Sequence, residues 1–215
     1  MNKLLSLVLL AGTLFWQACS CPPSEQTGEL ALGSVAKAFF NYDGSETLVF
    51  LNDQGQEMRF MAPEGKFISS DELCYRTTCT EAEFGSPSSC EFVAAESERY
   101  TFFNEDNTVV IDLLLFSDVY DYGMDDFYDA FQAGFSFGNP SISAVHVLEP
   151  RFTGTFEPET LEIIDVLEEQ ASLTLLDKTF TDVLVFEEGT LGIYVKPNVG
   201  VVGFRTADNT WVIQD

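Results

Sequence analysis

The sequence is poor in positive charge and holds a single histidine. Ten lysines and arginines stand against 35 aspartates and glutamates, which gives a formal net charge of −25 at pH 7. So large a negative excess repels phosphate backbones and anionic lipid surfaces, and we therefore predict no nucleic-acid partner. An acidic surface also keeps a protein soluble, so the charge does not identify a partner by itself.

The first apolar stretch is too short to cross a bilayer. It covers residues 4–16, whereas a membrane-spanning helix needs roughly 20 residues. Lys3 precedes the stretch, and the small residue Ala18 follows it directly before Cys19, which is the pattern of an export signal. The segment resembles a bacterial lipoprotein signal, in which the cysteine after the cleavage site becomes the lipidated N-terminus. The resemblance implies that residues 1–18 are a signal peptide and that Cys19 carries a lipid.

Two alternatives to this assignment stay open. Lipoprotein signals usually have leucine three residues before the cysteine, whereas this chain has Trp16 before Cys19 and Ala18 before Cys21. An ordinary cleaved signal without a lipid, or lipidation of Cys21, would also fit. Cysteine parity favours Cys19, because four cysteines are then left to pair in an oxidising compartment.

The segment after Cys19 is rich in proline, serine and glycine. This composition predicts a lipidated tether over residues 19–34, followed by a single β-rich domain over residues 35–215. The tether lacks an acidic cluster directly after the cysteine, a feature associated in Bacteroidota-type lipoproteins with display on the outer face of the cell. Its absence predicts the periplasmic face of the outer membrane.

The four remaining cysteines are candidate disulfide residues: Cys21, Cys74, Cys79 and Cys90. The last three lie in "CYRTTCTEAEFGSPSSC", which we interpret as a polar loop. A zinc site usually has paired ligands such as C-x-x-C and a fourth partner, so disulfides are the better interpretation in an exported chain. The shortest bridges would be Cys74–Cys79 or Cys79–Cys90, and the spacing does not choose between them.

From Val35 onward the apolar residues favour strands over helices. "AKAFFNY" is followed by Asp-Gly and "ETLVFL", and a glycine-bearing link leads on to "EMRFM", which predicts hairpins. Further strands are predicted at "CEFVAA", "ERYTFF", "TVVIDLLLF", "SISAVHVLE", "SLTLL", "TFTDVLVFEE", "TLGIYVK", "NVGVVGFRT" and "NTWVIQD". We expect "TVVIDLLLF" to be a central strand that is covered on both faces.

The fold class that follows is mainly β, with antiparallel hairpins forming a curved sheet, a sandwich or a partial barrel. Gly200 and Gly203 lie inside a predicted strand, where glycine usually marks a bulge or sharp curvature. One short amphipathic helix is predicted over residues 124–133, because Phe127 and Phe131 share a helical face and acidic residues lie in the first turn.

The last forty residues resemble the C-terminal part of many Bacteroidota-type envelope lipoproteins. In those proteins a strand containing "DV" precedes a "YxxKGxGxVxF"-like strand and a final "G-x-x-W" strand. The matching residues here are Asp182, Val183, Tyr194, Lys196, Gly200, Val202, Phe204 and Trp211, while Asn198 replaces the first glycine. The resemblance implies a β-rich envelope lipoprotein and carries no catalytic residue with it.

Candidate chemistry is sparse. His146 lies in an alternating strand, with Ala144 and Leu148 on its own face, and we interpret it as structural. The densest acidic cluster, Asp118, Asp121, Asp125 and Asp126, does not have the spacing of a calcium-binding loop. A hydrolase would need two carboxylates that face one cleft, and 35 acids in one sequence do not single out such a pair.

We therefore expect a non-enzymatic envelope protein without a cofactor, attached to the membrane through its N-terminal lipid, with a binding or scaffolding role. The alternative is a periplasmic carrier of an apolar ligand in a half-open β barrel, because 20 phenylalanines and 7 tyrosines could line a cavity as well as fill a core. A carboxylate-based hydrolase is a further alternative.

Overall fold

The computed structural model describes residues 21–80, 89–152 and 167–214. In these ranges the chain forms thirteen strands and one four-residue helix. The strands are β1 (Glu25–Leu30), β2 (Thr47–Asn52), β3 (Glu57–Met61), β4 (Lys66–Cys79), β5 (Ser89–Asn104), β6 (Val109–Asp121), β7 (Asp126–Phe137), β8 (Ser141–Pro150), β9 (Glu168–Leu175), β10 (Lys178–Glu188), β11 (Leu191–Lys196), β12 (Gly200–Arg205) and β13 (Thr210–Ile213). Helix α1 (Ser34–Lys37) lies between β1 and β2.

All thirteen strands belong to one strongly curled sheet that forms a half-barrel. Its order is β8-β7-β6-β5-β3-β2-β13-β12-β11-β10-β9, and every pairing along it is antiparallel. The long strand β5 also pairs with β4 antiparallel and with β1 in parallel. The two ends of the sheet approach each other, and the Leu167 N–H donates to the Val145 carbonyl at 3.3 Å.

The predicted hairpins are confirmed for most of the chain. Alternation in β6 buries every second side chain from Val109 to Val119, and those on the opposite face are half-buried. This strand lies between β5 and β7, which confirms its central position. A register shift between β11 and β12 lies beside Gly203, and Gly200 has a φ of +110°, so the predicted irregularity in this strand is also confirmed.

Aromatic side chains fill the concave face of the half-barrel. Phe50, Phe60 and Phe204 are fully buried, and their ring centroids lie 5.0 to 5.6 Å apart in edge-to-face arrangements. Such pairs add about 0.5–1.5 kcal/mol each to the hydrophobic gain of burial. The interior is therefore a packed core along these strands.

A segment between β1 and β2 closes this core, and we call residues 32–42 the plug. Phe39 and Phe40 of the plug are buried, with ring centroids 5.0 Å from Phe131. Tyr42 fastens the plug to β12, because the Val201 N–H donates to the tyrosine oxygen at 2.9 Å. Burial raises the pKa of Tyr42 to about 12, so its hydroxyl stays protonated at neutral pH.

The prediction of a helix over residues 124–133 is wrong, because most of this segment belongs to β7. Phe127 and Phe131 are buried as expected, but they are buried in a strand that is covered on both faces. A register shift between Asp129 and Ala130 in the pairing with β8 also breaks the two-residue alternation. Such a strand has a near-continuous apolar run, which reproduces the spacing of an amphipathic helix.

Three further expectations differ from the structure. "AKAFFNY", predicted as a strand, forms α1 and part of the plug, because its aromatic rings enter the core from the open side of the sheet. Within the predicted tether 19–34, residues 25–30 form β1 and pair with β5. Cys74 and Cys79, predicted to lie in a loop, lie in β4. Residues 1–20, with the predicted signal peptide and Cys19, lie outside the described residues.

Candidate functional site

Two disulfides join three chain segments at one end of the sheet. Cys74 in β4 is bonded to Cys90 in β5, with a Cα–Cα distance of 5.8 Å. Cys21 is bonded to Cys79 at the end of β4, 58 residues later, with a Cα–Cα distance of 5.6 Å. The four candidate cysteines are thus paired, but both predicted local bridges are wrong. The antiparallel pairing of β4 with β5 places Cys74 opposite Phe92, two residues from Cys90, and sequence spacing does not report such proximity.

Hydrogen bonds also attach the N-terminal segment to the start of β5. The Ser89 hydroxyl donates to the Pro22 carbonyl, and the Cys90 N–H donates to the Ser24 hydroxyl at 3.2 Å. The chain then enters β1, whose Thr27 hydroxyl donates to the Phe92 carbonyl at 3.1 Å. We call the region formed by residues 21–24, 74–79 and 89–92 the clamped end.

A small separate core supports the clamped end. Tyr75 of β4 packs edge-to-face against Phe127 of β7, with ring centroids 5.7 Å apart, and Val119 of β6 completes this core. The turn between β6 and β7 reaches across to the same place, where the Gly123 N–H donates to the Tyr75 carbonyl at 2.8 Å. Arg76 binds the Gly123 carbonyl at 3.1 Å and the Glu91 carboxylate at 2.8 Å. Side-chain contacts therefore stabilise the clamped end together with the two disulfides.

A buried carboxylate of β7 joins the plug to the sheet. Asp129 of β7 is completely buried and accepts three hydrogen bonds. They come from the Gly33 N–H at 2.7 Å, the Ser117 hydroxyl at 2.6 Å and the Arg151 guanidinium at 3.0 Å. A buried charge is tolerated when it is paired and hydrogen-bonded in this way.

A second carboxylate adjoins Asp129. Glu149 is its cross-strand neighbour in β8, and the Oε1 atom of Glu149 is buried without a hydrogen-bond partner. A Cβ atom on Gly33 would lie 1.9 Å from that oxygen and 2.9 Å from the Oδ2 of Asp129. A larger residue at position 33 would therefore require the Glu149 side chain to move. Since Asp129 is completely buried and accepts from three donors, we interpret the pair as a structural junction between the plug, β7 and β8.

The predicted acidic cluster divides between strand and turn. Asp118 of β6 accepts two hydrogen bonds, from the Val119 N–H at 2.7 Å and from the Tyr128 hydroxyl at 3.4 Å. Asp121 and Asp126 are cross-strand neighbours at the end of the β6–β7 hairpin. Within the described ranges, no three His, Cys, Asp or Glu side chains come together in a group that could hold a metal ion.

His146 lies where the two ends of the sheet meet. Its Nε2 is 3.5 Å from the Glu169 carboxylate of β9, and its side chain is 17% exposed. Burial lowers the pKa of His146, and the nearby Glu169 carboxylate opposes that effect in part. The histidine therefore stays neutral at pH 7, as a spacer between two strands.

The sequence also contains one G-x-S-x-G spacing, at residues 134–138, which the sequence reasoning above did not identify. In hydrolases this motif forms a strained turn between a strand and a helix. Here most of it lies within β7, where Ser136 pairs with Val110 and with Ser141. His146 pairs five residues away, with Phe131. The serine and the histidine therefore have no nucleophile–base contact.

The outer face of the sheet bears a shallow groove of about 390 Å³ between β4 and β6. Its apolar lining includes Phe67, Leu114 and Phe116, and Asp71 and Asp118 lie among them. Strand β4 pairs only with β5 within the described residues, and the Gly123 N–H binds its Tyr75 carbonyl. No helix of the described residues is long and apolar enough to span a membrane.

Comparisons with protein-family models, with curated proteins and with solved structures find no match to this chain.

Proposed function

We propose that this protein is a lipid-anchored, non-enzymatic envelope protein whose half-barrel binds or scaffolds another molecule at the periplasmic face of the outer membrane. The observation that carries the proposal is the pair of disulfides at the clamped end. Disulfides form and persist in oxidising compartments, so they favour export. The signal-like residues 1–18 and the lipobox-like Cys19 favour export in the same way.

The arrangement of polar side chains supports a role in binding over one in catalysis. Asp129 is enclosed by its donors, and His146 faces a carboxylate across the gap between two strands. Ser136 lies in a regular strand. A nucleophile needs a base within hydrogen-bond reach, and none of these three groups contacts another.

The lipid is tested by following the exported full-length chain in bacteria grown with radiolabelled palmitate. We expect label in the wild type and in C21S, and none in C19S. Globomycin, which blocks cleavage of lipoprotein signals, should cause the unprocessed precursor to accumulate. Export of an unlabelled wild-type protein whose processing ignores globomycin would refute lipidation and favour an ordinary cleaved signal. Label in C19S but not in C21S would move the attachment site to Cys21.

The second candidate function is a carrier of an apolar ligand. The curled sheet favours it, because a half-barrel has an apolar concave face. Phe39 and Phe40 fill that face, so a ligand would have to displace the plug. Native mass spectrometry of protein from several expression hosts should then detect bound lipid, and a mass equal to that of the empty chain in every host would contradict the carrier.

A further inference from the structure

We propose that the Cys21–Cys79 disulfide converts the N-terminal tether into a rigid mooring that fixes the orientation of the domain on the membrane. The clamped end then lies against the lipid headgroups, and the turn between β5 and β6 points away from them. This inference rests on the proposed lipid at Cys19, and it adds the surface that meets the bilayer.

The first step is the length of free chain between lipid and domain. Cys19 is two residues from Cys21, and two residues span at most about 7 Å. Cys21 is bonded to Cys79, with 5.6 Å between their Cα atoms. The lipid-bearing residue would therefore lie within about 13 Å of the end of β4, the sum of these two spans.

The second step is the rigidity beyond the bridge. The chain after Cys21 is bonded through Pro22 and Ser24 to the start of β5, and it continues into the paired strand β1. The segment between Cys21 and β1 is therefore held to the sheet by hydrogen bonds. Without the bridge, only the hydrogen bonds of Pro22 and Ser24 hold the segment before β1. Where these open, the first strand residue is Glu25, six residues from Cys19, and the free reach rises to about 20 Å.

The third step is the polarity of β5, the longest strand. Ser89 at its start belongs to the clamped end, and Asn104 at its end begins the turn to β6. Fifteen residue steps at about 3.3 Å each give a contour length of about 50 Å, which is the upper limit for the distance between these two ends. Attachment at the Ser89 end would therefore place the two ends of β5 at very different distances from the membrane.

The chemistry of the clamped end suits this contact. The exposed side chains beside the bridge are uncharged at Pro22, Pro23, Thr77 and Thr78. Arg76 is exposed nearby, and it is paired with Glu91 at 2.8 Å. Contact with a headgroup layer at these four uncharged positions buries no carboxylate, in a chain that carries 35 acidic residues against 10 basic ones.

The test uses lipidated full-length protein in phosphatidylcholine vesicles that carry an energy-transfer acceptor on their headgroups. A donor dye is attached through an encoded azide-bearing residue at Thr77 or at Asp106, both of which are exposed. We expect strong transfer from position 77 and transfer near background from position 106. Equal transfer from the two positions, in protein that floats with the vesicles, would overturn the fixed orientation and leave the lipid intact.

Two paired variants isolate the mooring. The double variant C21S/C79S keeps the lipid, and we expect the contrast between the two labels to shrink as the free chain lengthens. The matched control C74S/C90S removes the other bridge and should keep the contrast. Loss of contrast in the control alone would overturn the proposal. Protein that does not bind vesicles at all would refute lipidation itself, and the orientation with it.

Discussion

Removal of the long-range disulfide should cost more stability than removal of the short-range one. In the chain-entropy model, a bridge stabilises by restricting the unfolded chain, and the effect grows with the logarithm of the loop length. The Cys21–Cys79 bridge closes a loop of 58 residues and the Cys74–Cys90 bridge one of 16. At 25 °C the model gives about 4.2 kcal/mol for the first and about 3.1 kcal/mol for the second.

The measurement is urea unfolding at pH 7 of the chain without residues 1–20, followed by the fluorescence of Trp211, which is then its only tryptophan. The wild type is compared with C21S/C79S and C74S/C90S. We expect both variants to lose free energy of unfolding, with C21S/C79S lower by about 1 kcal/mol. An equal loss, or a larger loss in C74S/C90S, would refute the reasoning from loop length and point to local packing at the hairpin as the larger contribution.

Three further predictions concern the plug and the sheet ends. F40A should lower the free energy of unfolding by about 3–5 kcal/mol, because Phe40 is buried against Phe131. Phe67 is exposed, so the control F67A should change this free energy little, and equal losses in urea unfolding would contradict the packing. G33A should lower the melting temperature because its Cβ would clash with Glu149, and the addition of E149A should restore part of the loss; no restoration would contradict the assigned clash. Burial lowers the pKa of His146, so the unfolded chain takes up the proton first as the pH falls below 6.5. The free energy of unfolding should therefore fall between pH 7 and pH 5, and it should fall less in H146Q; identical pH profiles of the two proteins would refute this.

Local patterns predicted the parts of the fold that depend on neighbours in sequence. The hairpin from β2 to β3 and the strands from β9 to β13 follow from alternation and turn residues. β7 was misassigned, because five successive residues from Phe127 to Phe131 are buried in it and hide the alternation. A pattern along one segment carries no information on what will cover that segment.

The candidate site shows the same limit. Cys21 and Cys79 are recognisable as candidates, but their pairing depends on β1 lying beside β5, a parallel contact between distant segments. Asp129 is one of 35 acids, and only the convergence of Gly33 and Arg151 on it distinguishes it from the others.

If the chain is exported as proposed, the parallel pairing of β1 with β5 also imposes an order on the formation of its contacts. Cys21 forms its disulfide with a residue 58 positions later, and Ser24 accepts a hydrogen bond from a residue 66 positions later. The beginning of the chain therefore stays unpaired until β4 and the start of β5 have emerged. The proposed lipidation of Cys19 would then have to precede closure of the Cys21–Cys79 bridge, or take place beside a bridge that has already formed.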